Sequence, residues 1–173
     1  MMVGFFAASF AIYSFFQQQQ HFQEEKMRQL DIIHHEFSGE KPREVVDSKY
    51  LGYLSIRGEN RLIQYGSSKA VLDQNVIGLL ESSVALNEET GNVILAGHNI
   101  PFVFRVLHEI SLGEEILLVT NQVVETYVVQ EKEVIDETDM RYFQQVDDTK
   151  RMTLVTCCRD KRKRLVVVLT KKE

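Results

Sequence analysis

The stretch Met152-Thr-Leu-Val-Thr-Cys-Cys-Arg-Asp-Lys-Arg-Lys-Arg-Leu-Val-Val-Val-Leu169 decides the fold. A β-branched run, Met152–Val155, leads to Cys157, a charged turn follows, and the apolar run Leu165–Leu169 starts behind Arg164. Two such runs around a polar turn predict a hairpin of buried strands. The hairpin sets the Cys157 thiol at one strand's end and the Arg164 guanidinium at its neighbour's start, on one rim. A cation beside a thiol favours the thiolate, the form that attacks carbonyls. Taken alone, paired cysteines at a strand end are more often small core residues, and basic turns are commonly just solvated.

A second stretch shifts that balance. Val93-Ile-Leu-Ala-Gly-His-Asn99 is another apolar strand, ending in Gly-His-Asn. A cysteine and a histidine distant in sequence, each at a strand end, form the pattern expected of Cys/His acyl transfer. His108 is the rival histidine, on a stretch (Phe102–Ile110) with helical spacing rather than at a strand end.

Three motifs then resemble one family. Thr153-Leu-Val-Thr-Cys157 resembles the TLxTC motif of sortases, the cysteine transpeptidases of Gram-positive surfaces. Leu95-Ala-Gly-His-Asn99 resembles their catalytic histidine segment, and Arg164-Leu-Val-Val167 their strand-borne arginine. The similarity runs from about Asp47 to Thr170 and includes Gly52-Tyr-Leu-Ser-Ile56. Many sortases carry a proline in the first strand-turn region, where this chain has Arg57.

The resemblance implies that Cys157, His98 and Arg164 are catalytic, with Arg162 the runner-up for the arginine and Cys158 a bystander. Thr156 is expected either to contact substrate or to be an ordinary β-branched strand residue. The implied reaction cleaves an LPxTG-like sorting signal of a secreted protein. The acyl group then passes through a thioacyl-enzyme to an amine of peptidoglycan precursor or of a pilin. Two alternatives are a cysteine peptidase that hydrolyses the same intermediate and a non-catalytic peptide-binding barrel. Some sortases bind Ca²⁺, but no acidic loop here matches a Ca²⁺ loop, so no cofactor or metal is expected. No glycine-rich phosphate loop occurs, and a net charge of −5 argues against a nucleic-acid partner.

The 173 residues, 44% hydrophobic, provide for one core-bearing domain and a tail. Met1–Phe16 is apolar and uncharged but shorter than the ~20 residues of a spanning helix. A signal peptide, an uncleaved anchor and a truncated start all fit it. The resemblance favours the anchor, hence a cell-membrane protein with an extracellular catalytic domain. Residues 17–44 are expected to be a juxtamembrane helix and linker, with Phe22, Met27, Leu30, Ile33 and Phe37 on its apolar face. From residue 45 to 173 the pattern turns to about eight strands without regular strand–helix alternation. That predicts a mostly β fold, a closed and mainly antiparallel barrel with short connecting helices, as the resemblance also implies. Further expectations are a hairpin around Gly58-Glu59-Asn60, a short helix over Ala70–Asn75 and a strand-like run over Val76–Leu86. A long hairpin around Asn121-Gln122 and a helical turn or two within Asp139–Gln145, near the substrate groove, complete them.

Overall fold

A computed structural model of the chain describes residue 14, residues 17–21 and 23–32, and residues 49–173. Among these, eight strands close into one barrel: β1 Tyr50–Ile56, β2 Glu59–Tyr65, β3 Ile77–Leu79, β4 Gly91–Ala96, β5 Glu115–Val119, β6 Val124–Asp136, β7 Lys150–Cys157 and β8 Lys163–Lys171. Around the barrel they run β1-β2-β3-β4-β7-β8-β6-β5, and β5 returns to β1. Six of the pairings are antiparallel; β2 with β3 and β4 with β7 are parallel. The mainly antiparallel closed barrel expected from the sequence is present.

Alternation along the strands explains closure. On β1 every second residue is buried, as a strand with one face on a core requires. β4, β7 and β8 are buried on both faces, so they read as continuous apolar runs. Leu54, Ile63, Leu95, Leu154, Val167 and Leu169 belong to the inner cluster, each contributing about 1.5–3 kcal/mol by burial. Val155, Val166 and Val168 point the other way, into an outer cluster with Ile135 and Tyr142.

Three expected elements are shorter than read, the Ala70–Asn75 helix spanning only Lys69–Leu72. The Val76–Leu86 run is a strand only over Ile77–Leu79. Beyond it Ser83 replaces ladder bonding, its Oγ accepting from Ile94 N at 2.9 Å and donating to Val84 O at 2.7 Å. The Phe102–Ile110 segment is a 3₁₀ turn over Arg105–His108 rather than a helix. Its leading amides turn back instead, Val103 N to Ile100 O and Phe104 N to His98 O, while the Lys132 ammonium takes the carbonyls of His108 and Ile110.

The β1–β2 turn passes through Arg57 at φ 53. Proline is locked near φ −65°, so none could replace Arg57 here. Its guanidinium instead reaches Glu114, 2.8 Å away, and the Glu109 carbonyl.

The N-terminal segment requires corrections. The expected anchor, Met1–Phe16, lies outside the described residues except for Ser14. Among the described residues no helix is long and apolar enough to cross a membrane, so the single N-terminal anchor, and the membrane placement drawn from it, are not supported. The helical residues that follow open on the polar run Gln17–Gln20. The apolar face expected for that helix is also inverted where it is described. Met27 is 65% exposed and Leu30 41%, whereas Glu25 and Gln29 are buried. Gln29 donates to Asn75 O at 3.0 Å, Lys26 pairs with Glu59 at 2.7 Å, and Ile32 packs on Tyr50, Leu62 and Val76. Phe22, Ile33 and Phe37 lie outside the described residues.

Candidate active site

The parallel pairing of β4 with β7 brings the histidine and cysteine segments together. Its register runs from Gly91 opposite Lys150 to Ala96 opposite Val155. One step on, Gly97 N–H still donates to Val155 O at 3.1 Å. The next residue on β4's side is His98, and two past Val155 on β7 is Cys157. Both therefore leave the sheet at the same rim, 59 residues apart in sequence.

β8 supplies the third group. Cys157 and Arg164 are directly opposed, the last pair of the β7–β8 ladder. Side chains opposed in an antiparallel pair share a face. That face is the outer one, because Val155 and Val166 on the same parity belong to the outer cluster. The Cys157 side chain is exposed there.

Gly97 is the pivot of the arrangement. A Cβ on it would lie 2.5 Å from Val103 and 2.7 Å from the Phe104 ring, so only glycine lets the following loop fold under the histidine. Its carbonyl accepts from the Thr156 hydroxyl at 2.8 Å. Thr156 is 2% exposed; with its hydroxyl spent on Gly97, it sits beneath the site rather than on the surface where substrate would touch it. The His98 carbonyl takes the amides of Ile100 and Phe104. Arg61, buried, donates to Val103 O at 2.8 Å and ties the same loop to the β1–β2 hairpin.

The His98 ring is partly exposed, and its Nε2 lies 3.2 Å from Asp73 Oδ1. The Arg164 guanidinium is held by the β7–β8 turn and the β6–β7 connection: Nη1 donates to Lys161 O at 2.6 Å and Lys163 O at 3.1 Å, and Nη2 to Glu137 at 3.0 Å. Neither acidic contact was read from the sequence. Asp73 is 25 residues from His98, and Glu137 is 27 from Arg164, with no periodic pattern joining them.

The alternatives separate clearly. Arg162 lies outside β8, largely exposed beside Asp160. His108 closes the 3₁₀ turn rather than following a strand end. Cys158 is half-buried and packs on the inner cluster; burial, and then the neighbouring Cys157, push its thiol up. Such a thiol is a poorer nucleophile than an exposed one near a cation.

The β6–β7 connection roofs the outer face below the rim. Its 3₁₀ turn, Arg141–Phe143, presses Tyr142 against Ile135, Val155 and Val166. Asn92 of β4 holds the Tyr142 carbonyl at 2.9 Å, and Thr153 of β7 donates to Asn92 Oδ1 at 2.8 Å. The Tyr142 hydroxyl bonds the carboxylates of Glu131 and Glu133. Among the described residues no cluster of His, Cys, Asp or Glu could hold a metal ion.

Residues 55–172 match the sortase domain model. The chain belongs to the sortase family. Solved sortases share its fold. Sortase C1 from Streptococcus agalactiae is 28% identical with a TM-score of 0.67, the match covering 75% of this chain and 71% of that one. A Clostridium perfringens sortase D5 transpeptidase is 27% identical with a TM-score of 0.66, covering 87% and 89%. Listeria monocytogenes sortase A is 25% identical with a TM-score of 0.64, covering 73% and 89%. No curated protein matches the sequence. These sortases carry the labels A, C and D, so the match fixes the family and not the class. Sortases in general are cysteine transpeptidases that act on sorting signals and amine acceptors.

Proposed function

We propose that this sortase cleaves an LPxTG-like sorting signal with Cys157 as nucleophile and transfers the acyl group to an amine. The supporting observation is the rim itself, where β4 ends at His98, β7 ends at Cys157 and β8 begins at Arg164. Residues 45–173 form the catalytic unit in this reading. Its protein substrates are secreted proteins bearing a C-terminal sorting signal. The acceptor is an amine of peptidoglycan precursor or of a pilin.

The Cys157 thiolate adds to the threonine carbonyl carbon, and the carbonyl electrons move to oxygen. Arg164 stabilises that oxyanion or the adjacent peptide backbone; a planar fork of permanent charge suits either task better than lysine. The oxyanion collapses, the C–N bond breaks, and imidazolium His98 protonates the departing glycine amine. An acceptor amine then attacks the thioester, His98 takes its proton, and the thiolate is released. Thr156 acts from below, through the Gly97 carbonyl, by fixing the residue before the histidine.

Mass spectrometry of the protein incubated with a panel of sorting peptides tests the proposal. The expected result is an acyl adduct on Cys157, discharged by added amine. Cys157→Ala abolishes the adduct and Cys158→Ala retains it. An adduct that survives Cys157→Ala and disappears with Cys158→Ala overturns the assignment. Discharge only to free acid, even with excess amine, favours a peptidase.

A further inference from the structure

Among the described residues it is Asp73 whose carboxylate meets the His98 ring, and its position is built rather than incidental. The short helix Lys69–Leu72 ends on Asp73, whose amide donates to Lys69 O at 2.9 Å. Asn75 then takes φ 59 and turns the chain toward β3. The segment lies close on the barrel because Gly78 of β3 has no side chain. A Cβ there would sit 2.3 Å from Gly66 O and 3.0 Å from Leu72. These constraints bring Asp73 Oδ1 to 3.2 Å from His98 Nε2, while Oδ2 takes the Lys69 ammonium. Hydrogen bonding to Asp73 lowers its carboxyl, from Lys69 first and His98 second, so it is an anion at neutral pH.

A carboxylate can only accept, so the Nε2 it faces must carry the hydrogen. In the neutral ring that choice leaves Nδ1 as the basic nitrogen. We infer that Asp73 is a positioning residue for His98: it fixes the ring's tautomer and rotation, and leaves Nδ1 for the proton exchanged with the leaving and incoming amines. This rests on the proposed role of His98. Lys69 meets the other carboxylate oxygen at the exposed surface, where water can take its place. Both partners are partly exposed, and water screens such a pair. Its loss therefore costs about fivefold in rate rather than the several thousandfold of a buried triad.

Long-range proton–nitrogen NMR spectra of ¹⁵N-labelled protein, recorded near pH ~8.5 where histidine rings are neutral, test this without turnover. Wild-type His98 is expected as the Nε2–H tautomer; the Nδ1–H tautomer overturns the inference. In Asp73→Ala the bias disappears and kcat falls about fivefold, with KM for the sorting peptide unchanged. Asp73→Asn, which keeps an acceptor oxygen, restores the tautomer and part of kcat. Lys69→Ala leaves both near wild type. An Asp73→Ala protein with unchanged tautomer and kcat sinks the idea, as does an equal loss in Lys69→Ala, which would assign the effect to the helix. Absence of any acyl adduct in the wild-type protein would instead sink the transpeptidase proposal and leave the tautomer result standing.

Discussion

Arg164 faces Cys157 across the final rung of the β7–β8 ladder, yet both terminal nitrogens of its guanidinium are bonded within the protein. Lys161 O, Lys163 O and Glu137 hold the fork at the rim before any substrate arrives. Preorganised charge of this kind needs no rearrangement during reaction. Arg164→Lys keeps the charge but loses the planar fork and cannot span the same three acceptors. It is expected to lower kcat/KM about a hundredfold, the cost of losing one well-placed donor, with little change in melting temperature. Steady-state transfer kinetics and thermal unfolding check this; near-wild-type kcat/KM would show that charge alone suffices.

Thr156 and Gly97 make a second test beneath the histidine. Thr156→Val keeps the shape and removes the bond to Gly97 O. Leaving that buried carbonyl unpaired costs about 1–3 kcal/mol, read as a lower denaturant midpoint. Activity should fall beyond what the unfolded fraction explains, because the residue before His98 is loosened. Gly97→Ala is expected to be worse in both respects, since its methyl would meet the Val103 and Phe104 side chains.

Far along the strands from Cys157, Glu125 is buried between Lys150, at 2.7 Å, and Lys171, at 2.8 Å, and accepts from the Tyr127 hydroxyl at 2.9 Å. Burial works to raise its carboxyl, but these bonds outweigh that and hold it below the ordinary value. Glu125→Ala strands the almost fully buried Lys150 ammonium and should cost about 3–5 kcal/mol. Calorimetry should show a fall in Tm of roughly 10 °C. A fall of a degree or two would mean that Lys150 finds water or releases its proton.

The Arg57–Glu114 pair gives a pH signature. Hydrogen bonding to Arg57 lowers the Glu114 carboxyl to about 2 from an ordinary 4.5. A carboxylate lowered on folding stabilises the fold above the unfolded value, and that contribution disappears as pH falls toward the folded one. Arg57→Ala should therefore unfold more easily than wild type at pH 5–7, by a modest margin because water screens a partly exposed pair. The two proteins should converge between pH ~4.5 and ~2. A gap that stays constant through this range would assign the effect to the turn backbone.

Strand positions were legible wherever burial leaves a trace in the sequence. β1 alternates, and β4, β7 and β8 are unbroken apolar runs, so their ends, at Gly97, Cys157 and Arg164, could be located from residues alone. The short contacts were not legible. Past the end of β3, the Ser83 hydroxyl takes the Ile94 amide where apolar content would continue the strand, because a hydroxyl can substitute for a ladder partner. Asp73, Glu137 and Glu125 look in sequence like ordinary surface carboxylates, and only the crossing of distant segments gives them partners. The N-terminal helix misled for the same reason. Its docked face is built from Gln29, which bonds Asn75 O, and Glu25, which bonds Arg28 and Gln29 of the same helix; amphipathic spacing reports apolarity rather than complementarity.

The place of β7 between β4 and β8 bears on how the molecule matures. The final hairpin is the keystone of the wall as well as the bearer of the sulfur. A chain still emerging from the ribosome has the histidine-bearing strand but lacks the strand that fills the gap beside it. On the proposed function the sulfur and the closure of the wall thus arrive together, and half-built copies lack the assembled rim of Cys157, His98 and Arg164.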